Sequence, residues 1–415
     1  MKVLKINSTF RYGGSTSRIA YDLLQVQQQA GIDAYVAYGR YTGAGTMENA
    51  ICLQNKVQRK LNILRTRLFD HHGFYNEAES RKLIKWMDEI KPDIIHLHNI
   101  HNHYVNVKML FEYIKQYDIP VVWTLHDCWP FTGHCSYFDY TGCDKWKFGC
   151  HDCPSLKEYP PTWFFDRTKQ NYAEKRSVFT GVKKLVLTPP SEWLGSLVKE
   201  SFLNEYPIEV INNGIDTDIF KATDSDVKKK LNIEGKKIIL AVAGNTRRKG
   251  IAYLKKILDL LTEEEVLVWV GIDKNAIGVN NSHLRVISYT NSREEMAALY
   301  SMADCFMNTT LEENFPTVNI EALACGTPIV TFNTGGSIEA VLDGEIINEE
   351  GGIRYTKVGA VVEKGNIDDM LVAVRRVLNL GKQNYLNNCV YKAKERYDKR
   401  KQYQKYIELY NSIIK

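Results

Sequence analysis

No stretch of this 415-residue chain approaches the ~20 consecutive apolar residues that a bilayer-spanning helix needs. Met1 to Asn7 reads as a first strand and lacks the charged and apolar regions of a secretory leader, so the expected location is the cytoplasm. No charge of one sign dominates: a net +5 is too small to argue for nucleic acid, although a local basic surface could still meet an acidic lipid layer. Internal repeats and low-complexity tracts are absent as well, which excludes repeat architectures. What remains is a chain that is 44% hydrophobic and long enough for two or more cores, since single cores stop growing near ~250–300 residues.

Short apolar runs alternate with helical patterns along the whole chain. In the first half the expected strands are 3–7, 34–38, 94–98, 121–126, 185–188 and 209–212, with helical patterns at 16–29, 81–90 and 192–203. The second half repeats the alternation with strands at 238–243, 266–270, 284–288, 305–309, 328–331 and 361–363. Such alternation predicts an α/β protein with parallel sheets covered on both faces. Two sheets joined near Asn204 to Ile208 make two Rossmann-like domains facing a cleft, residues 1–205 and 206–395. Residues 396–415 end in a helical pattern from Arg400 to Ile414.

Glu313 and Glu321 stand eight positions apart, one after the apolar run 305–309 and the other inside a helical pattern that Pro316 opens and Gly326 closes. A helix start beyond a strand's C-terminal end offers free N–H groups and about half a positive charge to a phosphate. A carboxylate further along that helix supplies the two acceptors that a ribose diol needs. Read on through Glu-Ala-Leu-Ala-Cys-Gly-Thr-Pro-Ile-Val at 321–330 and Asn-Thr-Gly-Gly at 333–336, the segment resembles the retaining glycosyltransferases of family 4, whose fold is GT-B. That resemblance implies that Glu321 binds the nucleotide ribose, that Glu313 lies beside the donor sugar, and that Phe315, Pro316 and Thr317 contact the donor. It further implies that the C-terminal helix crosses back onto the first domain.

Other positions carry the resemblance further. Gly13, Gly14 and Ser15 follow the first strand and open a helix, where the family places the donor diphosphate and the acceptor. His126 stands at the end of strand 121–126, where the family keeps a histidine near the reacting carbon. Lys249, in Gly-Asn-Thr-Arg-Arg-Lys-Gly at 244–250, matches the lysine that holds the donor phosphates, and Asn245 stands where the family has an arginine. Either Arg247 or Arg248 is then the partner cation. The implied chemistry is same-face transfer, with the leaving phosphate oxygen taking the acceptor's proton and no protein carboxylate acting as nucleophile.

Five of the nine cysteines crowd into one segment, 128–153. Cys135, Cys143, Cys150 and Cys153 could hold a structural zinc, the alternatives being buried free thiols or loop cysteines. Trp129, Tyr137, Phe138, Tyr140, Trp146 and Phe148 interleave with them and are expected to shape the acceptor side of the cleft. Between Lys56 and Phe69, Leu61, Leu64 and Leu68 recur at helical spacing beside Arg59, Lys60, Arg65 and Arg67, which suits either an anionic membrane surface or an ordinary surface helix. The triplets at 216–218 and 224–226 read as structural and not as a metal site on the donor. The expected activity is transfer of a hexosyl group, without a required cofactor, from a nucleotide-diphosphate sugar to a saccharide or lipid-linked saccharide in surface polysaccharide assembly. A sugar-nucleotide epimerase of the same fold and a non-catalytic assembly scaffold are the alternatives.

Overall fold

The apolar runs form two separate sheets in a computed structural model of the chain, which describes residues 1–11, 14–40, 47–54, 56–273, 277–278, 281–290, 292–342 and 346–415. The chain divides into two compact units, Met1–Asn212 with Gln402–Lys415, and Asn213–Lys401.

The first unit holds six parallel strands, β1 (Lys2–Thr9), β2 (Asp33–Arg40), β3 (Ala50–Cys52), β4 (Ile94–Leu97), β5 (Val121–Thr124) and β6 (Leu185–Thr188), in the order β3-β2-β1-β4-β5-β6. Strands β4 and β5 are buried along their whole length, which is why they read as unbroken apolar runs. Alternation sends Leu4, Ile6, Ile95, Leu97 and Trp123 into one core and Val3, Ile94 and Val122 into another. Against this second face lie helix Ser15–Gln29 and the C-terminal helix Lys399–Ile414, through Ile19, Leu23, Tyr403, Tyr406 and Tyr410. Polar groups key the C-terminal helix to the sheet: Tyr410 Oη lies 2.6 Å from His96 Nδ1 and accepts from Gln27, and Tyr406 Oη lies 3.0 Å from Thr124 Oγ1.

Eight strands build the second sheet: β7 (Lys237–Val242), β8 (Glu265–Val270), β9 (Leu284–Ile287), β10 (Cys305–Asn308), β11 (Ile329–Phe332), β12 (Ile346–Glu350), β13 (Ile353–Thr356) and β14 (Gly359–Val362). Their order is β12-β13-β14-β11-β10-β7-β8-β9, parallel except for the β12-β13-β14 meander.

Four expectations change. No strand forms at 209–212: a single parallel bridge joins Ile208 to Leu187, and residues 207–211 follow the edge of β6 through Leu187 N to Pro207 O and Glu209 N to Leu187 O. That attachment keeps the chain in the first unit until Asn212, beyond the junction expected near 205. At the other end Ile215 bridges Asp398 and accepts from Lys399 N, so the second unit retains the chain until Lys401, past the expected 396. The helix expected at 192–203 ends at Lys199.

Candidate active site

In open parallel sheets ligands bind beyond the strand C-termini where the strand order reverses. In the second sheet this point lies between β7 and β10, because β8 follows β7 to one side while β10 and β11 lie on the other. The loop after β7 carries Arg247–Lys249, the loop after β10 carries Glu313, and the loop after β11 carries Asn333 to Gly336. Adjacent strands thus bring three distant stretches of sequence together.

Glu313 is the hub. Its Oε2 lies 2.5 Å from Lys249 Nζ and 3.2 Å from Arg248 Nη1, with all three side chains at most a quarter exposed. Burial alone would raise the Glu313 pKa; the charges of Lys249 and Arg248 and their hydrogen bonds outweigh it and hold the carboxyl at about 2. Arg248 also donates to Glu312 O at 2.6 Å, and Leu311 N donates to Arg248 O at 2.8 Å, so the two loops are laced by backbone as well as charge. Two glycines permit this closeness. A Cβ at Gly250, φ +72°, would lie 1.9 Å from Thr309 O, and one at Gly335, φ +49°, would lie 2.2 Å from Glu313 O. Arg247 is exposed, and of the two candidate arginines only Arg248 lies against Glu313.

Helix Thr317–Ala324 begins immediately beyond, with Pro316 as its cap residue and Asn319 N reaching Pro316 O. Phe315 and Pro316 are buried and Thr317 is half-buried. Glu321, in the helix's second turn, is 8% exposed and accepts a hydrogen bond from Tyr300 Oη at 3.0 Å. The sequence reading missed Tyr300, which stands on a different helix, Arg293–Met302. Asn319 fixes the helix on β10 by accepting from Asn308 at 2.9 Å and donating to Ser337 O at 2.9 Å.

The first sheet reverses between β1 and β4. After β1 the chain turns at Gly14, φ +111°, to start helix Ser15–Gln29, with Gly14 and Ser15 exposed; Gly13 lies outside the described residues. Asn7 ties this edge together, its Oδ1 accepting from Ser8 N and Asn99 N. His126, after β5, lies 3.0 Å through Nε2 from Nδ1 of His98, which holds the matching place after β4. Burial pushes the His126 pKa down to about 4 and that of His98 well below the usual value, so both rings are neutral near pH 7. The next residue, Asp127, pairs with His101 at 2.8 Å and caps Trp129 N at 3.0 Å. The sequence reading did not single out His98, although it ends an expected strand as His126 does.

In the cysteine segment the thiols are free, one of the readings left open beside a zinc site. Cys135 and Cys153 share a thiol–thiol hydrogen bond, and burial pushes the Cys150 thiol up to about 12. Among the described residues no three His, Cys, Asp or Glu side chains are placed to hold a metal ion, so the four-thiolate set is not assembled here. Trp129, Phe138 and Trp146 belong to the first unit's core and are at most 4% exposed, while Phe148 is 90% exposed. Their rings fill the interior because the segment has little regular structure of its own to bury. Asp216 pairs with Lys399 at 2.6 Å, Asp218 with Arg400 at 3.1 Å and Asp226 with Lys230 at 2.9 Å, which accounts for three of the acids in the two Asp-x-Asp triplets.

Residues 12–219 match the family described as Glycosyltransferase Family 4, and residues 223–396 match Glycosyl transferases group 1. A putative colanic acid biosynthesis glycosyl transferase of Escherichia coli K12, WcaC, is 28% identical over 373 residues, covering 84% of this chain and 88% of that protein. N,N'-diacetylbacillosaminyl-diphospho-undecaprenol alpha-1,3-N-acetylgalactosaminyltransferase of Campylobacter jejuni is 29% identical over 190 residues, 45% of this chain and 48% of that one. Among solved structures, HepE of Anabaena in complex with UDP-glucose superposes with a TM-score of 0.67 at 15% identity, covering 99% of this chain and 100% of that chain. That likeness speaks for the fold, which is GT-B.

Proposed function

Because this chain belongs to glycosyltransferase family 4, we propose that it moves a hexosyl group from a nucleotide-diphosphate sugar to a hydroxyl of a lipid-linked saccharide, with retention and without a metal on the donor. The observation that carries the reading is the Glu313 hub. Two cations converge on one carboxylate at the strand-order reversal, beside a helix start and within eight residues of a second buried carboxylate. A diphosphate entering there would draw on charge that Glu313 already concentrates, without new side chains having to be ordered.

In this reading Glu321, held by Tyr300, accepts from the ribose hydroxyls. The helix start at Thr317 receives a phosphate, with Phe315 and Pro316 shaping the approach. Lys249 and Arg248 stabilise the departing diphosphate, whose oxygen takes the acceptor's proton as the new glycosidic bond forms on the same face. In the first unit, Gly14, Ser15 and His126 stand beyond strand C-termini, where ligands of an open parallel sheet bind, and the neutral His126 ring offers hydrogen bonds and no charge. The Anabaena protein's UDP-glucose supports a uridine nucleotide as donor, and the Campylobacter enzyme's name supports a diphospho-polyprenol-linked acceptor. Nothing favours the epimerase or the scaffold.

The test is to incubate the protein with a panel of nucleotide-diphosphate sugars and a lipid-linked saccharide in chelator, then assign the product's anomeric configuration by proton NMR. The expected product keeps the donor's configuration, and chelator leaves the rate unchanged. Inversion, donor turnover without an acceptor product, or loss of rate restored by Mg²⁺ or Mn²⁺ would overturn the reading.

A further inference from the structure

Tyr159 reverses the usual placement of a tyrosine at a surface. Such a side chain ordinarily buries its ring and leaves its hydroxyl in water, but Tyr159 is 42% exposed while its Oη donates to Asn102 Oδ1 and lies 3.3 Å from His101 Nδ1. His101 is buried, and burial at the hydroxyl raises the phenol's pKa. The part of Tyr159 that solvent meets is therefore the ring.

The groups that hold the hydroxyl are themselves held in a strained turn of the loop after β4. Asn102 and His103, with φ +83° and +64°, are consecutive non-glycine residues in the left-handed region, a conformation that persists only where the surroundings impose it. Here they do. Asn102 N donates to His72 Nε2 at 3.0 Å, His103 O accepts from Asn76 Nδ2 at 2.7 Å, and His103 Nδ1 lies 3.1 Å from Thr66 Oγ1. His101 Nε2 is fixed 2.8 Å from the carboxylate of Asp127, the residue that follows His126. The same loop is tied to the reversal of strand order, where Asn99 N donates to Asn7 Oδ1, and ligands of an open parallel sheet bind at that point. A ring that only covered the surface would need none of these supports.

We propose that the exposed ring of Tyr159 is the platform on which the acceptor's sugar ring stacks, with Asn102, His101 and Asp127 as positioning residues behind it. The face of a pyranose presents C–H bonds with partial positive charge, and the face of an aromatic ring is negative, so the two attract without any hydrogen bond between them. A nucleobase would stack equally well, but Glu321 and the helix start at Thr317 draw the nucleotide to the second unit. The inference rests on the transferase reading. Tyr159 lies outside the aromatic set of segment 128–153 that was expected to shape the acceptor side.

The experiment is saturation-transfer NMR of the full chain with the methyl glycosides of glucose, galactose, N-acetylglucosamine and N-acetylgalactosamine, with UDP present throughout. The wild type should saturate the ring protons of at least one glycoside. Tyr159→Ala and Tyr159→Leu should weaken its binding on the order of tenfold, because leucine restores apolar bulk but no aromatic face, while Tyr159→Phe, which keeps the face and loses the anchor, should stay within about threefold. Circular dichroism, melting and the calorimetric affinity for UDP should be the same in all four proteins. No glycoside bound by the wild type, or undiminished binding by Tyr159→Ala or Tyr159→Leu, would overturn the platform alone. Absence of binding to any nucleotide-diphosphate sugar would overturn the transferase reading and the platform with it.

Discussion

The proposed role of Glu321 rests on Tyr300, whose hydroxyl donates to one carboxylate oxygen at 3.0 Å and orients the group before any ligand arrives. Glu321→Ala should therefore weaken binding of the nucleoside diphosphate by ~1.5–3 kcal/mol, the range for a hydrogen bond to a charged group. Tyr300→Phe, which removes only the orienting hydroxyl, should cost about 1 kcal/mol. Titration calorimetry with the free nucleotide measures both, and unchanged affinity in Glu321→Ala would remove that residue from the site. The eight-residue spacing made Glu313 and Glu321 legible in the sequence. The Tyr300 contact was not, because it joins two helices that no local pattern relates. The choice between Arg247 and Arg248 was hidden for a similar reason: neighbouring residues of a turn look alike until the direction of each side chain is known.

At the level of elements, legibility followed burial. The interior parallel strands were found because they are apolar throughout. The β12 edge was missed because all of Ile346–Glu350 is exposed and the strand carries two glutamates, which leaves no core-facing signal. The six aromatic rings among the cysteines were expected to shape the acceptor side of the cleft, yet three of them, Trp129, Phe138 and Trp146, fill the core. Trp146→Ala should then destabilise the protein by about 3–5 kcal/mol, and Phe148→Ala should change stability by less than about 0.5 kcal/mol. Denaturant unfolding followed by fluorescence compares them; equal effects would contradict the packing described. Metal analysis of protein purified without chelator tests the zinc expectation, which the pattern of four cysteines raised and the arrangement of their thiols does not support.

For the molecule as a whole, buried histidines set the response to acid. Burial lowers His103 and His126 to about 4, and it lowers His72, His96 and His98 well below the usual value. The unfolded chain takes up these protons near pH ~6.5 while the folded chain does not, so the unfolded state binds more protons between ~6.5 and ~4. Stability is full above that window and is lost as pH falls through it. Glu313 and Asp398, held at about 2, add to the loss only below their ordinary range near ~4. Calorimetric melting should show the midpoint dropping between pH 7 and pH 5, before carboxylates contribute; a flat or rising midpoint would contradict the neutral histidine core.

The central claim is that Lys249 and Arg248, gathered by Glu313, stabilise the diphosphate as it leaves. Steady-state transfer kinetics of Lys249→Ala, Arg248→Ala and Arg247→Ala, with donor affinity measured alongside, test it most directly. The account predicts that Lys249→Ala and Arg248→Ala lower kcat on the order of 100-fold or more, with donor affinity changed far less, and that Arg247→Ala stays within about twofold of wild type. An intact kcat with a raised KM in Lys249→Ala, or a loss in Arg247→Ala equal to that in Arg248→Ala, would contradict it.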